Sequence, residues 1–182
     1  YYEQGELPLN EGPQILKHGK DVLVVYSCGQ SWLATYKLSY LRLKDPDADL
    51  LDTKSWIKSD TPVFEGTDQV FGVGHASFTT SPDDREHFIY YHTKKERKPG
   101  WKRDIRLQKF TFDASGVPCF GKPLPVSEKL PLPSGTAHPV KVKPMSELEK
   151  DFTQLSSTAR PYTYWFWMNG NITKEGLTTD LA

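Results

Sequence analysis

The sequence predicts an all-β fold, because two segments about 65 residues apart repeat the same succession of short strands. Each repeat holds a short apolar strand, a longer strand of mixed polarity, and a small strand that ends near a proline or a Pro/Phe pair. The chain shows little helical periodicity, and its apolar runs have the length of strands. Several short strands per repeat at this spacing are typical of the blades of a β-propeller. We therefore predict a partial propeller of about two blades.

The individual strands follow from the apolar runs and the turn residues between them. Because two blades cannot close a ring, we expect the missing blades to lie upstream of this sequence. The first repeat places strands at 22–27, 36–43 and 55–64, and the second places them at 88–92, 103–112 and 116–123.

The texture changes after about residue 123, where prolines punctuate a polar stretch that is typical of a linker or an extended wrap. Ser146 and Glu149 form a capping-box pattern that predicts a short helix at 146–155. The last segment predicts a strand, a tight turn and the start of a helix, which is the opening of an α/β unit. The predicted divisions are a partial propeller at 1–125, a Pro-rich linker with a short helix at 126–158, and the truncated start of a second domain at 159–182.

Composition excludes several classes of partner. The 23 basic and 23 acidic residues give a net charge of zero, which argues against binding to nucleic acid or to an anionic membrane. No apolar run is long enough to predict a transmembrane helix. Cys28 and Cys119 lack metal-site spacing and are predicted to be small packing residues rather than a disulfide. Aromatic residues make up 13 %, which fits strand packing and leaves some rings to stack on sugars.

Glu11 and His75 are the first candidates for chemistry. The Gly-Pro that follows Glu11 fixes the backbone and leaves the carboxylate at a strand entrance, where a general acid can be aimed. The alternative is a solvated turn residue. Gly72 and Gly74 let the backbone near His75 approach the propeller axis closely, so that His75 could hold a metal, a water or a carboxylate. The alternative is a hydrogen-bonded structural histidine.

Two arginines flank an apolar strand of the second repeat. Period-2 geometry puts Arg103 and Arg106 on opposite faces, so at most one of them points inward. That arginine could bind vicinal sugar hydroxyls or tune a carboxylate by its charge, and the alternative is an ordinary strand charge. His87 and His92, at the two ends of a strand, are interpreted as packing or surface residues.

Four stretches in this order resemble the C-terminal half of family 43 glycoside hydrolases, five-bladed propellers that include α-L-arabinofuranosidases and β-xylosidases. The resemblance covers 9–125 and implies an oligo- or polysaccharide substrate. The stretches are Asn-Glu-Gly-Pro at 10–13, Gly-His-Ala-Ser-Phe at 74–78, Arg-Asp-Ile-Arg-Leu-Gln at 103–108, and Asp-Ala-Ser-Gly-Val-Pro-Cys-Phe-Gly at 113–121.

The resemblance implies an inverting mechanism with a Glu general acid, an Asp general base and a second Asp that tunes the acid. Glu11 matches the acid, and His75 matches a central histidine beside a metal-bound water or a calcium ion. Arg103 matches an arginine that contacts sugar hydroxyls, and Trp32 is a candidate pocket wall. No cofactor is implied for the chemistry, but a structural calcium at the propeller axis is.

The sequence departs from the family at the two aspartates. Both precede the Glu in the family, whereas only ten residues precede Glu11 and none is Asp. We therefore expect base and modulator to be missing from this chain, and the chain alone to be inactive. The aspartates that follow Glu11 in the first repeat occur in turn contexts and are not candidates: Asp21, Asp45, Asp47, Asp49 and Asp52.

A second resemblance concerns the tail at 159–181, whose Trp-Phe-Trp-Met-Asn-Gly-Asn run is similar to the beginning of family 106 α-L-rhamnosidases. It implies the first strand and helix of a TIM-type barrel, and thus a fused second hydrolase. Two such activities on one chain would suit a branched plant polysaccharide. The family resemblance implies a secreted or periplasmic protein. The alternative function for the chain is a non-catalytic carbohydrate-binding propeller module.

Overall fold

The computed structural model describes residues 9–136, which fold into two four-stranded antiparallel sheets. We call the sheets the first and second blade, and in each the strands lie side by side in chain order. The predicted all-β fold is confirmed for these residues, whereas the predicted helix at 146–155 and the tail at 159–182 lie outside them. The first blade contains β1 (Asn10–His18), β2 (Asp21–Cys28), β3 (Lys37–Leu43) and, after a 3-10 turn at Thr53–Ser55, β4 (Trp56–Lys58). The second contains β5 (Phe71–Thr80), β6 (His87–Lys94), β7 (Arg103–Phe112) and β8 (Pro118–Cys119).

The strands predicted from apolar runs form close to their predicted places, but the first strand of each blade was not predicted. Most side chains of β1 are exposed, and its pairing with β2 shifts register between Glu11 and Gln14. β5 shifts register twice along β6 and contains Gly72 at φ +56°. Bulges and glycines break the alternation by which a strand is recognised.

The core lies between the two blades. β5 packs across β1, β2 and β3 of the first blade. Leu23, Val25 and Leu38 of the first blade join Val73 and Ile89 of the second in one buried cluster. Each such side chain removed from water stabilises the fold by about 1.5–3 kcal/mol. The blades therefore form one packed unit, and residues at their junction keep fixed positions.

The described part of the Pro-rich segment is hydrogen-bonded to the second blade. The Leu124 amide donates to Oε1 of Gln108 at 3.1 Å, and the Ser134 amide donates to Oε2 of Glu86 at 2.9 Å. The Ser134 hydroxyl also donates to Asp83 at 2.7 Å. Up to residue 136 the segment is thus an extended wrap. The domain boundaries at 125 and 158 stay predictions.

Two composition-based expectations concern the thiols and the membrane. Cys28 is buried at the end of β2, Cys119 is exposed in β8, and neither forms a disulfide bond. The packing role predicted for cysteine therefore fits Cys28 and is wrong for Cys119. Among residues 9–136, no helix is long and apolar enough to cross a membrane.

Candidate active site

Glu11 stands on β1 with its side chain exposed and one carboxylate oxygen anchored. It pairs in register with Ser27 of β2, next to the β1 bulge and to Gly12 at φ +57°. Its Oε1 accepts a hydrogen bond of 2.7 Å from the Tyr36 hydroxyl. Glu11 also borders a cleft of about 350 Å³ whose walls include Pro13. The carboxylate is thus oriented by the protein while it remains open to a ligand.

Tyr36, directly before β3, is fully buried at the junction of the blades. Its ring fills the space beside Gly74, where an added Cβ would lie 2.2 Å from Cε1 of the tyrosine. Burial is the main cause that raises the pKa of Tyr36, and the nearby Glu11 carboxylate adds to it, against a hydrogen bond from Ser27. The phenol therefore keeps its proton near neutral pH and donates a hydrogen bond to Glu11.

His75 reaches the same place from the second blade. It lies on β5 with a left-handed backbone at φ 51°, which is uncommon for a residue other than glycine. Its amide donates to Oγ of Ser27 at 2.7 Å. Its ring lies against Gly12, where an added Cβ would be 3.2 Å from the ring carbons. The structure thus brings His75 next to the segment that carries Glu11.

His92 is one of the site residues that the sequence interpretation missed. Its ring stacks on Tyr36 with centroids 5.4 Å apart and an interplanar angle of 5°, and lies 6.4 Å from His75. Within residues 9–136, both buried ring nitrogens lack a hydrogen-bond partner. Burial, then the charge of Arg103, lowers the pKa of His92 to about 4. His92 is therefore a neutral ring inside the site, whereas His87 packs on aromatic rings as predicted.

Arg103 and Trp32 meet at the edge of this constellation. Arg103 donates from Nη2 to the Ser31 carbonyl at 3.0 Å, and its guanidinium lies 4.8 Å from the Trp101 ring centroid. Trp101 is 66 % exposed, and its ring centroid lies 5.7 Å from the ring centroid of Trp32. Two tryptophans and an arginine form a surface suited to the apolar face and hydroxyls of a sugar.

The two arginines of β7 separate as their spacing predicts. Arg106 donates to Oγ1 of Thr93 at 2.9 Å and to the Leu124 carbonyl at 2.6 Å, away from the contacts of Arg103. Only Arg103 is therefore in the candidate site, where its charge also acts on Tyr36 and His92.

Lys94 fixes the loops that carry both tryptophans. Its Nζ donates to the carbonyls of Trp32 and Gly100 at 2.7 Å each, and the residue is 3 % exposed. Burial, followed by the charge of Arg103, lowers the pKa of Lys94. No motif in the sequence marks this lysine, because its acceptors are backbone carbonyls and one of them is 62 residues away in the chain.

The described residues do not by themselves fit a calcium site. Calcium takes six to eight oxygen ligands, whereas His75 offers a nitrogen. Among residues 9–136, no group of three or more His, Cys, Asp or Glu side chains could hold a metal ion. A calcium ion near His75 would need oxygen ligands from outside this part of the chain.

Aspartates in the first blade hold turns and a strand pair. Asp21 forms an ion pair with Arg42 at 2.6 Å. Asp45, Asp49 and Asp52 each accept a hydrogen bond of 2.9 Å from the backbone amide two residues ahead. Such contacts are typical of Asx turns, so the prediction of turn contexts is confirmed for these three residues.

Comparison with known proteins points to one family. The family described as "Glycosyl hydrolases family 43" matches residues 2–118. An extracellular exo-alpha-(1->5)-L-arabinofuranosidase of Streptomyces avermitilis is 38 % identical over 64 % of this chain and 25 % of its own length. Alpha-L-arabinofuranosidase B of Pyricularia oryzae is 33 % identical over 74 % of this chain and 27 % of its own.

A solved structure supports the same assignment. The alpha-L-arabinofuranosidase from Lactobacillus brevis matches with a TM-score of 0.65 and 34 % identity, over 70 % of this chain and 41 % of that one. The two sheets are accordingly two blades of a five-bladed β-propeller. The chain spans about a quarter of the length of the curated relatives it matches. Since the family match covers more than half of its residues, this chain belongs to glycosyl hydrolase family 43.

Proposed function

We propose that the chain supplies the general acid of an inverting glycoside hydrolase that cleaves arabinofuranosides of plant polysaccharides. The observation that carries the proposal is the Glu11 carboxylate, which is anchored by Tyr36, while His92 stacks on that tyrosine and the His75 ring lies against Gly12. Three relatives that are at least 33 % identical are named as arabinofuranosidases, which favours that sugar. Xylosides are the alternative substrate, since the resemblance covers both specificities.

The chemistry requires two carboxyl groups on opposite sides of the bond that breaks. Protonated Glu11 gives its proton to the leaving glycosidic oxygen as the bond between that oxygen and the anomeric carbon breaks. A water molecule attacks the same carbon from the opposite face and gives its proton to a carboxylate base. The products are an alcohol and a sugar of inverted configuration, and no cofactor takes part in the step. Room for the water places the two carboxyls about 6.5–9.5 Å apart.

We propose that the base and the modulating aspartate are absent from this chain. Four described aspartates of the first blade support this, because Asp21 holds an arginine and Asp45, Asp49 and Asp52 hold turns. The 182-residue chain alone should then show no turnover of aryl arabinofuranosides or xylosides, as measured by release of the aryl alcohol. Robust turnover that is lost in Glu11→Gln would contradict this part of the proposal.

Arg103 and Trp32 are proposed to bind the substrate, and Trp101 extends their surface. The Arg103 guanidinium offers planar donors for vicinal hydroxyls, and the tryptophan rings offer faces for sugar C–H groups. His75 is proposed to lie beside a metal-bound water, with calcium as the ion and further oxygen ligands from outside residues 9–136. Secretion is proposed because one relative is named extracellular.

The tail at 159–182 supports a second proposal, an appended α-L-rhamnosidase that begins there. The supporting observation is the Trp-Phe-Trp-Met-Asn-Gly-Asn run, which falls outside the described residues. Hydrolysis of aryl α-L-rhamnosides by the protein that contains this chain, retained in Glu11→Gln, is the expected result. Absence of that activity contradicts the proposal.

The test of the main proposal is Glu11→Gln in the protein that contains this chain. Loss of a general acid should lower kcat by about 100- to 10,000-fold on substrates with alkyl leaving groups. Glu65→Gln, an exposed carboxylate in the loop before β5, is the matched control and should keep wild-type activity. Unchanged kcat in Glu11→Gln would overturn the proposal. Glycan binding by the wild-type protein without any turnover would favour the carbohydrate-binding module.

A further inference from the structure

We propose that Tyr36 is a positioning residue that aims the Glu11 carboxyl through a chain of hydrogen bonds from the second blade. The inference rests on the proposed role of Glu11 as the acid. Neither Tyr36 nor Ser27 stood out in the sequence, because tyrosine before a strand and serine within one are common packing residues.

The chain of hydrogen bonds crosses from one blade to the other. The His75 amide of β5 donates to Oγ of Ser27 at 2.7 Å. Burial is the main cause that raises the pKa of Tyr36, and a side-chain hydrogen bond from Ser27 acts against it, which places Ser27 behind the phenol. The Tyr36 hydroxyl donates to Oε1 of Glu11 at 2.7 Å. Ser27 and Tyr36 are both fully buried, so that only the carboxyl at the end of the chain faces solvent.

The chemistry of these groups gives the chain one direction. An amide can only donate, so Ser27 must accept from His75 and is left to donate its own proton to Tyr36. Tyr36 then has its proton free for Glu11. Because Oε1 is occupied by this donor, Oε2 is the oxygen left to carry the proton to a leaving group. Buried hydrogen bonds in such a chain strengthen one another.

Packing prevents the Tyr36 ring from turning away. One face is covered by the parallel ring of His92 at 5.4 Å. The ring edge fills the space that the missing side chain of Gly74 leaves, where a Cβ would lie 2.2 Å from Cε1. The second blade therefore holds the Tyr36 ring by the His92 ring and by the space at Gly74, and the hydrogen bond that it contributes to the chain reaches Ser27 rather than the phenol. Tyr36 transmits that position to the acid.

The test compares two leaving groups on the same sugar. Protonation by an acid matters for an alkyl leaving group and hardly at all for 2,4-dinitrophenolate, which departs without a proton. Tyr36→Phe in the protein that contains this chain should lower kcat on the alkyl glycoside about 10- to 100-fold, as expected for a misplaced catalytic group. The same variant should change kcat on the dinitrophenyl glycoside less than about threefold and leave KM near wild type.

Tyr91→Phe is the matched control, because Tyr91 is another buried tyrosine of this unit and its hydroxyl donates to Gln108 at 2.7 Å. Any purely structural effect of losing a buried hydroxyl should lower both rates equally in that variant. Ser27→Ala removes the donor behind Tyr36 and should reproduce the selective loss at smaller size. If Tyr36→Phe does not fold, Ser27→Ala tests the chain of hydrogen bonds in its place.

Failure of this inference can be told apart from failure of the proposed function. Glu11→Gln must itself show the selective loss on the alkyl glycoside, and if it does not, Glu11 is not the acid. If Glu11→Gln shows the loss while Tyr36→Phe slows both substrates equally or neither, Tyr36 does not position the acid. A selective loss in Glu11→Gln, Tyr36→Phe and Ser27→Ala, without one in Tyr91→Phe, supports the chain of hydrogen bonds.

Discussion

The two blades differ where the first strand of each blade pairs with the second strand. In the first blade Glu11 of β1 pairs with Ser27 of β2, and in the second blade Gly74 of β5 pairs with His92 of β6. Near this end of each sheet the first blade therefore presents a carboxylate, and the second blade presents a glycine. The space left by Gly74 is filled by Tyr36, which holds that carboxylate. The repeated strands form the scaffold, and residues that differ between the two blades form the candidate site.

A second difference concerns the direction of the hydrogen bonds between the blades. The amides of Gly72 and Gly100 donate to carbonyls of Ala34 and Trp32, both at 2.9 Å. Lys94 and Arg103 donate to carbonyls in the same loop between β2 and β3. The second blade supplies donors and the first blade supplies the loop that they hold. The acid lies on one blade, but its surroundings are fixed by the other.

The largest expected effect on stability comes from Gly74→Ala, which adds a side chain against Tyr36. The new Cβ would lie 2.2 Å from the Tyr36 ring, and the ring is buried and stacked on His92, so that the ring or the strand must shift. We expect the free energy of unfolding to fall by about 3 kcal/mol, at the upper end of overpacking costs. Denaturant unfolding of the protein that contains this chain measures it.

Ser77→Ala is the control for Gly74→Ala, because Ser77 is an exposed residue of the same strand. We expect it to change stability by less than about 0.5 kcal/mol. Equal stability of the two variants would mean that the Tyr36 ring does not depend on the glycine. The comparison between the blades would then lose its structural basis.

Lys94→Met is expected to have a smaller effect. It removes the donor from two loop carbonyls, and unfolding should become easier by about 2 kcal/mol because these acceptors lose their buried partner. KM should rise while kcat changes less, since Trp32 and Trp101 lie on the released loops. Steady-state kinetics and denaturant unfolding measure the two effects.

Lys95→Met makes a matched control for Lys94→Met. Lys95 is the adjacent, exposed lysine and forms an ion pair with Asp104 at 3.0 Å. Surface pairs of this kind contribute at most about 1 kcal/mol. If KM rises as much in Lys95→Met as in Lys94→Met, the positive charge of the lysines affects substrate binding, and the hydrogen bonds of Lys94 to the loops do not.

Sequence patterns predict β2 from its apolar run, whose last four residues are buried, and β7 from a period of two that buries Gln108 and Phe110. They fail for β1 and β5, where bulges and glycines adapt the chain to the opposite blade. Glu11, His75 and Arg103 could be proposed from short motifs. Tyr36, His92 and Lys94 could not, because their roles depend on contacts between segments that are 25 to 62 residues apart.

The two blades differ in whether their buried polar groups have hydrogen-bond partners. This difference predicts that the stability of the fold depends on pH. Tyr36 and Glu11 satisfy each other, whereas both nitrogens of His92 lack partners within residues 9–136. The charge of Arg103 and smaller electrostatic contributions from His75 and Lys94 oppose protonation of His92, and Glu11 favours it. Burial is the largest cause, and the pKa of His92 falls from the ordinary 6.5 to about 4.

The sign of the effect on stability follows from which state binds the proton. Between pH 6.5 and about 4 the unfolded chain protonates this histidine and the folded protein does not, so stability falls as the pH is lowered through that window. Part of the ring is open to solvent, which reduces the loss to about 1 kcal/mol. His92→Phe keeps a ring stacked on Tyr36 and removes the titration. Its stability relative to wild type should therefore improve by about 1 kcal/mol from pH 7 to pH 4.5, as measured by denaturant unfolding.

Tyr91→Phe separates this titration from a general effect of substitution in β6. The pKa of Tyr91 is raised to about 12, chiefly by burial, so that its hydroxyl does not titrate between pH 4 and 7. Its effect on stability should be the same at both pH values. If His92→Phe behaves in the same way, the imidazole gains a proton in the folded state, and a group outside residues 9–136 must then stabilise its charge. That group would be a carboxylate that faces His92. It would give His92 the hydrogen-bond partner that Tyr36 gives to Glu11.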